Sequence, residues 1–145
     1  MFDAAETPAD VIPLEIQGNL QNIHVLIIED DADSRDLIIT TLQQFGARVT
    51  AFSSAAAAIK ALSQMKPDIL VSDIGMPGMD GYMLMEQIRA VTANQPIPAI
   101  ALTSYASAVD QQKVLAAGFQ KHLPKPMESA QLVEAIAALV QRRPV

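Results

Sequence analysis

Acidic side chains follow two of the apolar runs in this chain. Glu29, Asp30 and Asp31 come directly after "HVLII", and Asp73 ends "DILVSD". Carboxylates this close repel one another, so a cluster beside buried strands needs a counter-charge. A hard divalent cation such as Mg²⁺ would supply that charge, because it prefers carboxylate, carbonyl and water oxygens. The residue types therefore indicate a magnesium site for phosphate chemistry, with a carboxylate as the nucleophile.

Two further groups follow other apolar runs. Thr103 closes the run in "PIPAIALTS", and Lys125 comes shortly after "FQKHL". A hydroxyl can donate to a phosphoryl oxygen, and an ammonium can neutralise one. Each residue alone has an ordinary explanation, because acids often cap helices or form turns, and threonine is common in strands. Their combination at the ends of four apolar runs favours a common site.

Composition narrows the class of protein. Half of the 145 residues are hydrophobic and 18% are charged, which suits one folded domain. The net charge of −6 argues against sequence-independent binding to the phosphates of nucleic acids. The absence of cysteine excludes disulfides and thiolate sites. The sequence has no apolar run of about 18 residues and no basic start typical of a signal peptide, so we expect a soluble cytoplasmic domain without membrane contact.

Apolar periodicity predicts five strand–helix units. The predicted strands are 24–28, 48–52, 68–73, a segment within 96–104, and 119–123; the predicted helices are 33–45, 54–65, 81–91, 108–117 and 129–141. Leu37 belongs to the apolar pattern of the first helix, and Gly46 is expected to end that helix. The methionines at positions 76, 79, 83 and 85 are expected to be core residues. This alternation predicts a doubly wound α/β fold with a parallel sheet and helices on both faces. Functional groups in such folds gather at the carboxyl ends of the strands. Residues 1–21 are predicted to be a linker or tail, 22–141 the domain, and 142–145 a C-terminal tail.

The motifs together resemble a known family. "VLIIEDD", "VSDIGMPGMDGY", "ALTSYA" and "KHLPKP" have the order and spacing found in the response regulator receiver domains of two-component signalling. The resemblance covers nearly all of residues 22–140. It implies a flavodoxin-like three-layer sandwich with five parallel strands in the order 2-1-3-4-5. It also implies a phosphoacceptor signalling domain rather than an enzyme with a substrate of its own.

The resemblance assigns the phosphoacceptor and the metal ligands. Asp73 matches the residue that becomes an aspartyl phosphate. Glu29 and Asp30 match the acidic pair that holds Mg²⁺ together with Asp73, and Gly75 matches the position whose backbone carbonyl completes the protein ligands. The acidic pair is often two aspartates in this family, whereas here it is Glu–Asp.

The resemblance also assigns the groups around the phosphoryl. Thr103 matches the hydroxyl that contacts the phosphoryl oxygens, and Lys125 matches the ammonium that neutralises one of them. A cis peptide bond is expected between Lys125 and Pro126. The switch residue on the fifth strand, usually Tyr or Phe, is His122 here. A histidine can also move in and out, but its burial preference and its charge depend on pH.

The resemblance suggests partners as well. The chain looks most like the receiver of a hybrid sensor histidine kinase, which would take phosphate from the kinase core of the same protein or from a separate histidine kinase. A histidine phosphotransfer protein would then accept the phosphate. A free-standing single-domain response regulator is the alternative, and homodimer formation is left open.

Other classes fit the residues less well. A phosphatase of the haloacid dehalogenase type needs a second Asp two residues after its nucleophile, where this chain has Gly75. A flavin-binding module of the same fold needs a Ser/Thr/Gly-rich phosphate loop, where this chain has the acids 29–31. An interaction module that is never phosphorylated would not need the complete acidic set. A phosphoacceptor domain is therefore the leading hypothesis.

Overall fold

The structure is a computed structural model that describes residues 20–74, 81–91, 97–103, 108–125 and 128–141. Strands and helices alternate throughout. The strands are β1 (His24–Ile28), β2 (Arg48–Phe52), β3 (Ile69–Asp73), β4 (Ala99–Thr103) and β5 (Lys121–Pro124). The helices are α1 (Ala32–Gln44), α2 (Ala55–Ala61), α3 (Gly81–Val91), α4 (Ala108–Ala117) and α5 (Ser129–Gln141).

The five strands form one parallel sheet in the order β2-β1-β3-β4-β5, which confirms the predicted fold class. The central strands β1, β3 and β4 are almost completely buried, whereas the edge strands β2 and β5 are only partly covered. This burial explains the sequence pattern, because strands covered on both faces are apolar at successive positions. The order reverses between β1 and β3, which start the two halves of the sheet. Their carboxyl ends therefore border the crevice where such folds bind ligands.

A separate hydrophobic core lies on each face of the sheet. Along β1 the side chains alternate between them, with Val25 and Ile27 in one core and Leu26 and Ile28 in the other. The first core is completed by α1 and α5, and the second by α2, α3 and α4. Their buried helical residues include Ile38, Leu42, Leu132, Val133 and Ile136 in the first core, and Ala58, Leu84, Ile88 and Val114 in the second. Packing on both faces holds the strand ends in fixed register.

The structure differs from the sequence prediction at two side chains and at the ends of several helices and strands. Leu37, placed in the apolar pattern of α1, is 56% exposed, and Met83, expected to fill the core, is 48% exposed. Helix α2 ends at Ala61 rather than at residue 65. Strand β5 begins two residues later than predicted and ends at Pro124. Periodicity sets the direction of a helical face but not its width, which explains the exposure of Leu37.

The ends of α1 fix the geometry of the adjoining turns. Asp31 is the N-cap, and its carboxylate accepts a 2.8 Å hydrogen bond from the Ser34 backbone N–H. Gly46, just beyond the C-terminal end, has φ +91°, a left-handed conformation that favours glycine. The sequence predicted Gly46 as the stop signal for this helix. The Asp31 cap places the first turn of α1 directly after the acidic pair.

None of the helices in the described parts of the chain is both long and apolar enough to cross a membrane.

Candidate metal and phosphoacceptor site

Three carboxylates meet at the carboxyl end of the sheet. Strands β1 and β3 pair in parallel with Ile28 opposite Ser72, so the residues that follow these two lie side by side. One oxygen from each of Glu29, Asp30 and Asp73 can be chosen so that all three lie within 4.8 Å of one another. Glu29 is fully buried, Asp73 is 13% exposed at its side chain, and Asp30 is exposed. The predicted acidic residues are therefore together at one edge of the sheet.

Lys125 joins two of these carboxylates. Its Nζ lies 2.8 Å from Glu29 Oε1 and 3.2 Å from Asp73 Oδ2. The Lys125 backbone N–H donates to the carbonyl oxygen of Thr103 at 2.9 Å, which ties the residue after β5 to the end of β4. The ammonium is thus held beside the acids that follow β1 and end β3. One ammonium facing three carboxylates leaves negative charge that these side chains do not balance.

The burial of Glu29 has an electrostatic consequence. Burial raises the pKa of the Glu29 carboxyl, and the charge of Asp73 acts in the same direction, although hydrogen bonds from Lys125 and from the Asp31 backbone N–H oppose the rise. Burial acts to lower the pKa of Lys125, but the hydrogen bond to Glu29 and the charges of Asp73 and Glu29 outweigh it, so this pKa is raised. Lys125 therefore stays charged, whereas the ionised form of the Glu29 carboxyl is poorly stabilised.

Thr103 stands at the end of the next strand along the sheet. It is the last residue of β4 and is 96% buried, with 4% of its surface exposed. The register places Leu102 opposite Asp73, and the Ile74 backbone N–H donates to the Leu102 carbonyl at 3.2 Å. Thr103 is therefore one residue beyond the neighbour of Asp73, at the same edge as the acids.

His122 lies on β5 with Ala101 opposite it on β4. It is half-buried, and its Nδ1 is buried without a hydrogen-bond partner in the part of the chain that the structure describes. A buried polar atom without a partner costs on the order of 1–3 kcal/mol. A second position of the ring that gives Nδ1 a hydrogen-bond partner would therefore be lower in energy at this atom.

Two residues of the predicted site, Gly75 and Pro126, lie outside the described residues, so the predicted carbonyl ligand and cis peptide bond stay predictions. Met76 and Met79, predicted as core residues, also lie outside.

Arg35 also contributes to the site, although no sequence motif indicated it. This residue is in the first turn of α1, and its guanidinium Nη1 donates a 2.9 Å hydrogen bond to the backbone carbonyl of Glu29. The spacing of six residues from Glu29 was visible in the sequence. A backbone carbonyl as acceptor, however, leaves no mark on residue types, so only the structure reveals the contact.

The donor set fits a hard divalent cation. All of the candidate side-chain ligands are carboxylate oxygens, and Mg²⁺ is usually held by one or two carboxylates plus other oxygens. The buried, poorly stabilised Glu29 provides an independent sign, because a cation beside it would offset the cost of its burial. The residues present therefore fit magnesium, and the fold already holds the three carboxylates close together.

The chain belongs to the response regulator receiver domain family. The family model described as "Response regulator receiver domain" matches residues 25–137. Receiver domains are the phosphoacceptor modules of two-component systems, and they bind Mg²⁺ at an acidic pocket. The resemblance seen in the motifs is thereby confirmed.

Similar proteins include both short and long chains. An uncharacterized 14.6 kDa protein in the sodA1 3'region of Leptolyngbya boryana is 38% identical over 81% of this chain and 89% of its own length. Sensor protein GacS of Pseudomonas syringae pv. syringae is 35% identical over 77% of this chain, which spans only 13% of that protein.

Among solved structures, the receiver domain of sensor histidine kinase PA1611 from Pseudomonas aeruginosa PAO1 has 28% identity and a TM-score of 0.75. The match covers 82% of this chain and 98% of that one. That structure is described as having a magnesium ion coordinated in its active site cleft.

Proposed function

We propose that this chain is a Mg²⁺-dependent phosphorylation switch in which Asp73 accepts a phosphoryl group from a phosphohistidine. The observation that carries the proposal is the arrangement of Glu29, Asp30 and Asp73 with Lys125 bridging two of them. The folded switch would span residues 22–141, with tails at 1–21 and 142–145. Its place in the cell, expected from the sequence to be the cytoplasm, is part of the same proposal.

The transfer is a displacement at phosphorus. An Oδ atom of Asp73 forms a bond to phosphorus, the phosphorus–nitrogen bond of the donor breaks, and its electron pair goes to the imidazole nitrogen. Asp73 is suited to this attack because its side chain is only partly buried and stands at the open edge of the sheet. The product is a mixed anhydride, which water can hydrolyse to restore the carboxylate. The proposal includes no further enzymatic activity of this chain.

The surrounding residues handle the charge that arrives with the phosphoryl group, about two units. Mg²⁺, held by Glu29, Asp30, Asp73 and the Gly75 carbonyl, would neutralise part of that charge when bound. The Lys125 ammonium, 3.2 Å from Asp73 Oδ2, already lies where a phosphoryl oxygen on Asp73 would need a counter-charge. No large movement of Lys125 is required for this role.

Thr103 and His122 are the residues proposed to transmit the event. The Thr103 hydroxyl would donate to a phosphoryl oxygen from the end of β4. Because His122 keeps a buried nitrogen without a described partner, its present position is not strongly favoured, which supports a role as the moving residue. Movement of these two groups would alter the surface formed by α4, β5 and α5 and so change which partner binds.

The relatives support two candidate parent proteins, each with its own phosphoryl donor. The similarity to GacS supports a hybrid sensor histidine kinase as the parent protein, with its kinase core as donor and a histidine phosphotransfer protein as acceptor. The short Leptolyngbya relative, of nearly the same length, supports the alternative of a free-standing regulator served by a separate kinase. The chemistry at Asp73 is the same in both cases. Whether two copies associate is a separate question for solution measurements.

Intact mass tests the proposal. Wild type and Asp73→Asn are incubated with acetyl phosphate, each with Mg²⁺ and with EDTA. The expected result is a gain of one phosphoryl group by wild type in Mg²⁺ only, and no gain by the variant, because the amide is a far weaker nucleophile.

A donor control separates a poor small-molecule donor from a missing acceptor. If acetyl phosphate fails, a phosphorylated histidine kinase core is supplied instead. Failure of both donors would overturn the phosphotransfer function, and so would labelling of Asp73→Asn to the extent seen in wild type.

A further inference from the structure

Arg35 holds the turn that carries the acidic pair. Strand β2 ends at Phe52, whose carbonyl accepts the Glu29 backbone N–H at 3.1 Å. In a parallel sheet the N–H and C=O of one residue point to the same neighbour, so the Glu29 carbonyl points beyond the end of β2. Glu29 is fully buried, and a buried carbonyl needs a donor. The Arg35 guanidinium supplies it at 2.9 Å.

The same residue also fixes the other side of the turn. The Arg35 backbone N–H donates to the Asp31 carbonyl at 2.9 Å. Side chains on a helix lean toward its N-terminus, which is why an arginine in the first turn of α1 reaches back to Glu29. Arg35 therefore contacts the residues immediately before and after Asp30.

The carboxylates differ in how they are held in place. The Glu29 carboxylate receives hydrogen bonds from Lys125 and from the Asp31 backbone N–H. Asp30 is exposed, so packing does not restrict its side chain, and its position depends on the backbone of the turn. A guanidinium bonded to the neighbouring carbonyl restricts that backbone.

We infer that Arg35 is a positioning residue for magnesium: its guanidinium bond to the Glu29 carbonyl orients the turn so that Asp30 stays within ligand distance of Glu29 and Asp73. The inference rests on the proposed Mg²⁺ site. In this role Arg35 does not bind the metal. Its guanidinium acts indirectly, by holding the backbone carbonyl of Glu29. Partners of this kind change metal affinity by about 10- to 100-fold when they are removed.

Magnesium titration by calorimetry tests the inference on Arg35→Met, which keeps the length of the side chain and loses the donor. We expect the Mg²⁺ dissociation constant to rise at least about tenfold. Arg48→Met is the matched control, because it removes the same charge from an exposed residue at the opposite end of the sheet, and its affinity is expected to stay within about twofold of wild type. Urea unfolding in EDTA is measured in parallel.

The outcomes separate this inference from the proposed site itself. If wild type binds no Mg²⁺, the metal site fails. If wild type binds and Arg35→Met binds equally well, or loses only unfolding free energy, the positioning role is overturned. An equal loss in Arg48→Met would overturn it too, because net charge would then be the cause. Should Arg35→Met not fold, Arg35→Lys decides: it keeps the charge without the planar fork, and wild-type affinity in that variant would overturn the role of the guanidinium.

Discussion

The two ends of the parallel sheet use similar side chains for different purposes. At the amino end, the His24 backbone N–H donates to Asp68 Oδ2 at 2.8 Å, and the Asp68 backbone N–H donates to the His24 carbonyl at 2.8 Å. The His24 ring nitrogen Nε2 lies 2.8 Å from Thr50 Oγ1. These contacts connect β1 to the chain entering β3 and to β2. The acid at this end therefore has its hydrogen bonds within the fold.

The carboxyl end is not balanced in the same way. Among the described residues, the ammonium of Lys125 contacts two of the three carboxylates, Glu29 and Asp73, and Glu29 is completely buried. Such an arrangement lowers stability unless another charge is added. The comparison distinguishes a polar cluster whose groups bond to one another within the fold from a cluster of carboxylates that the proposed Mg²⁺ would help to neutralise.

The largest effect is expected on the rate of phosphorylation when the ammonium of Lys125, at the carboxyl end of the sheet, is removed. Lys125→Met should slow phosphorylation by acetyl phosphate about 100- to 1000-fold, because a preorganised charge beside the reacting oxygen is lost. Mg²⁺ should bind at least as tightly as in wild type, because a competing positive charge has gone. Time courses of intact mass give the rate, and calorimetry gives the affinity.

Lys121→Met is the control for that variant. Lys121 is exposed and begins β5, the strand that Lys125 follows, so its loss changes the net charge equally without removing a contact to the acids. It should phosphorylate within about threefold of wild type, as expected for a screened surface charge. Equal rates for the two variants would mean that the Lys125 ammonium does not assist the transfer.

Alanine substitutions of one aspartate at each end of the sheet should have opposite effects: one should weaken Mg²⁺ binding and the other should lower stability. Asp30→Ala should weaken Mg²⁺ binding at least about 10- to 100-fold, since it removes a proposed direct ligand. In EDTA it should leave the unfolding free energy unchanged or raise it, because repulsion among carboxylates is relieved. Asp68→Ala should leave Mg²⁺ affinity within about twofold and lower the unfolding free energy by about 1–3 kcal/mol, since the His24 N–H loses its acceptor.

Calorimetry and urea unfolding in EDTA measure both properties for both variants. A loss of stability in Asp30→Ala as large as that in Asp68→Ala would show that the carboxyl end is also a structural cluster. Weakened Mg²⁺ binding in Asp68→Ala would show that the two ends are coupled through the strands. Either result would contradict the different roles of the two ends of the sheet.

The sequence was sufficient for the fold and for the gathering of the acids. The strands at the centre of a parallel sheet are buried on both faces and read as apolar runs, and the acids directly follow these runs. Their convergence at one edge then follows from topology. Details at single side chains were less accessible, because the exposure of Leu37 depends on how much of α1 the sheet covers.

Contacts between distant residues mark the limit of sequence reasoning. The hydrogen bond between Lys125 and Glu29 joins residues 96 positions apart. Their positions after apolar runs predicted a common site, but not that the Lys125 ammonium bonds to the Glu29 carboxylate. The contact of Arg35 with the Glu29 carbonyl could not be read at all, because every residue type has such an acceptor. Residue types locate the charged groups, whereas the structure shows what holds them.

The smallest expected effect is a pH dependence confined to the amino end. Burial, followed by the charge of Arg48, lowers the pKa of His24, and Asp68 only partly opposes this. The neutral imidazole is thus favoured in the fold, so its contribution to stability is complete above the unfolded pKa, near 6.5, and is lost as the pH falls through the folded value.

Comparison with His24→Gln, which does not titrate, isolates this contribution. In EDTA, the unfolding free energy of wild type should fall more steeply than that of the variant between about pH 7.5 and 5.5, and the titration of Glu29 cancels because both proteins contain it. Urea unfolding at several pH values gives the two curves. Parallel curves would contradict the assignment, and a steeper fall in the variant would mean that the folded protein favours the charged imidazole. Mg²⁺ affinity at the upper pH should be the same in both proteins, because His24 lies at the end of β1 opposite to the acids.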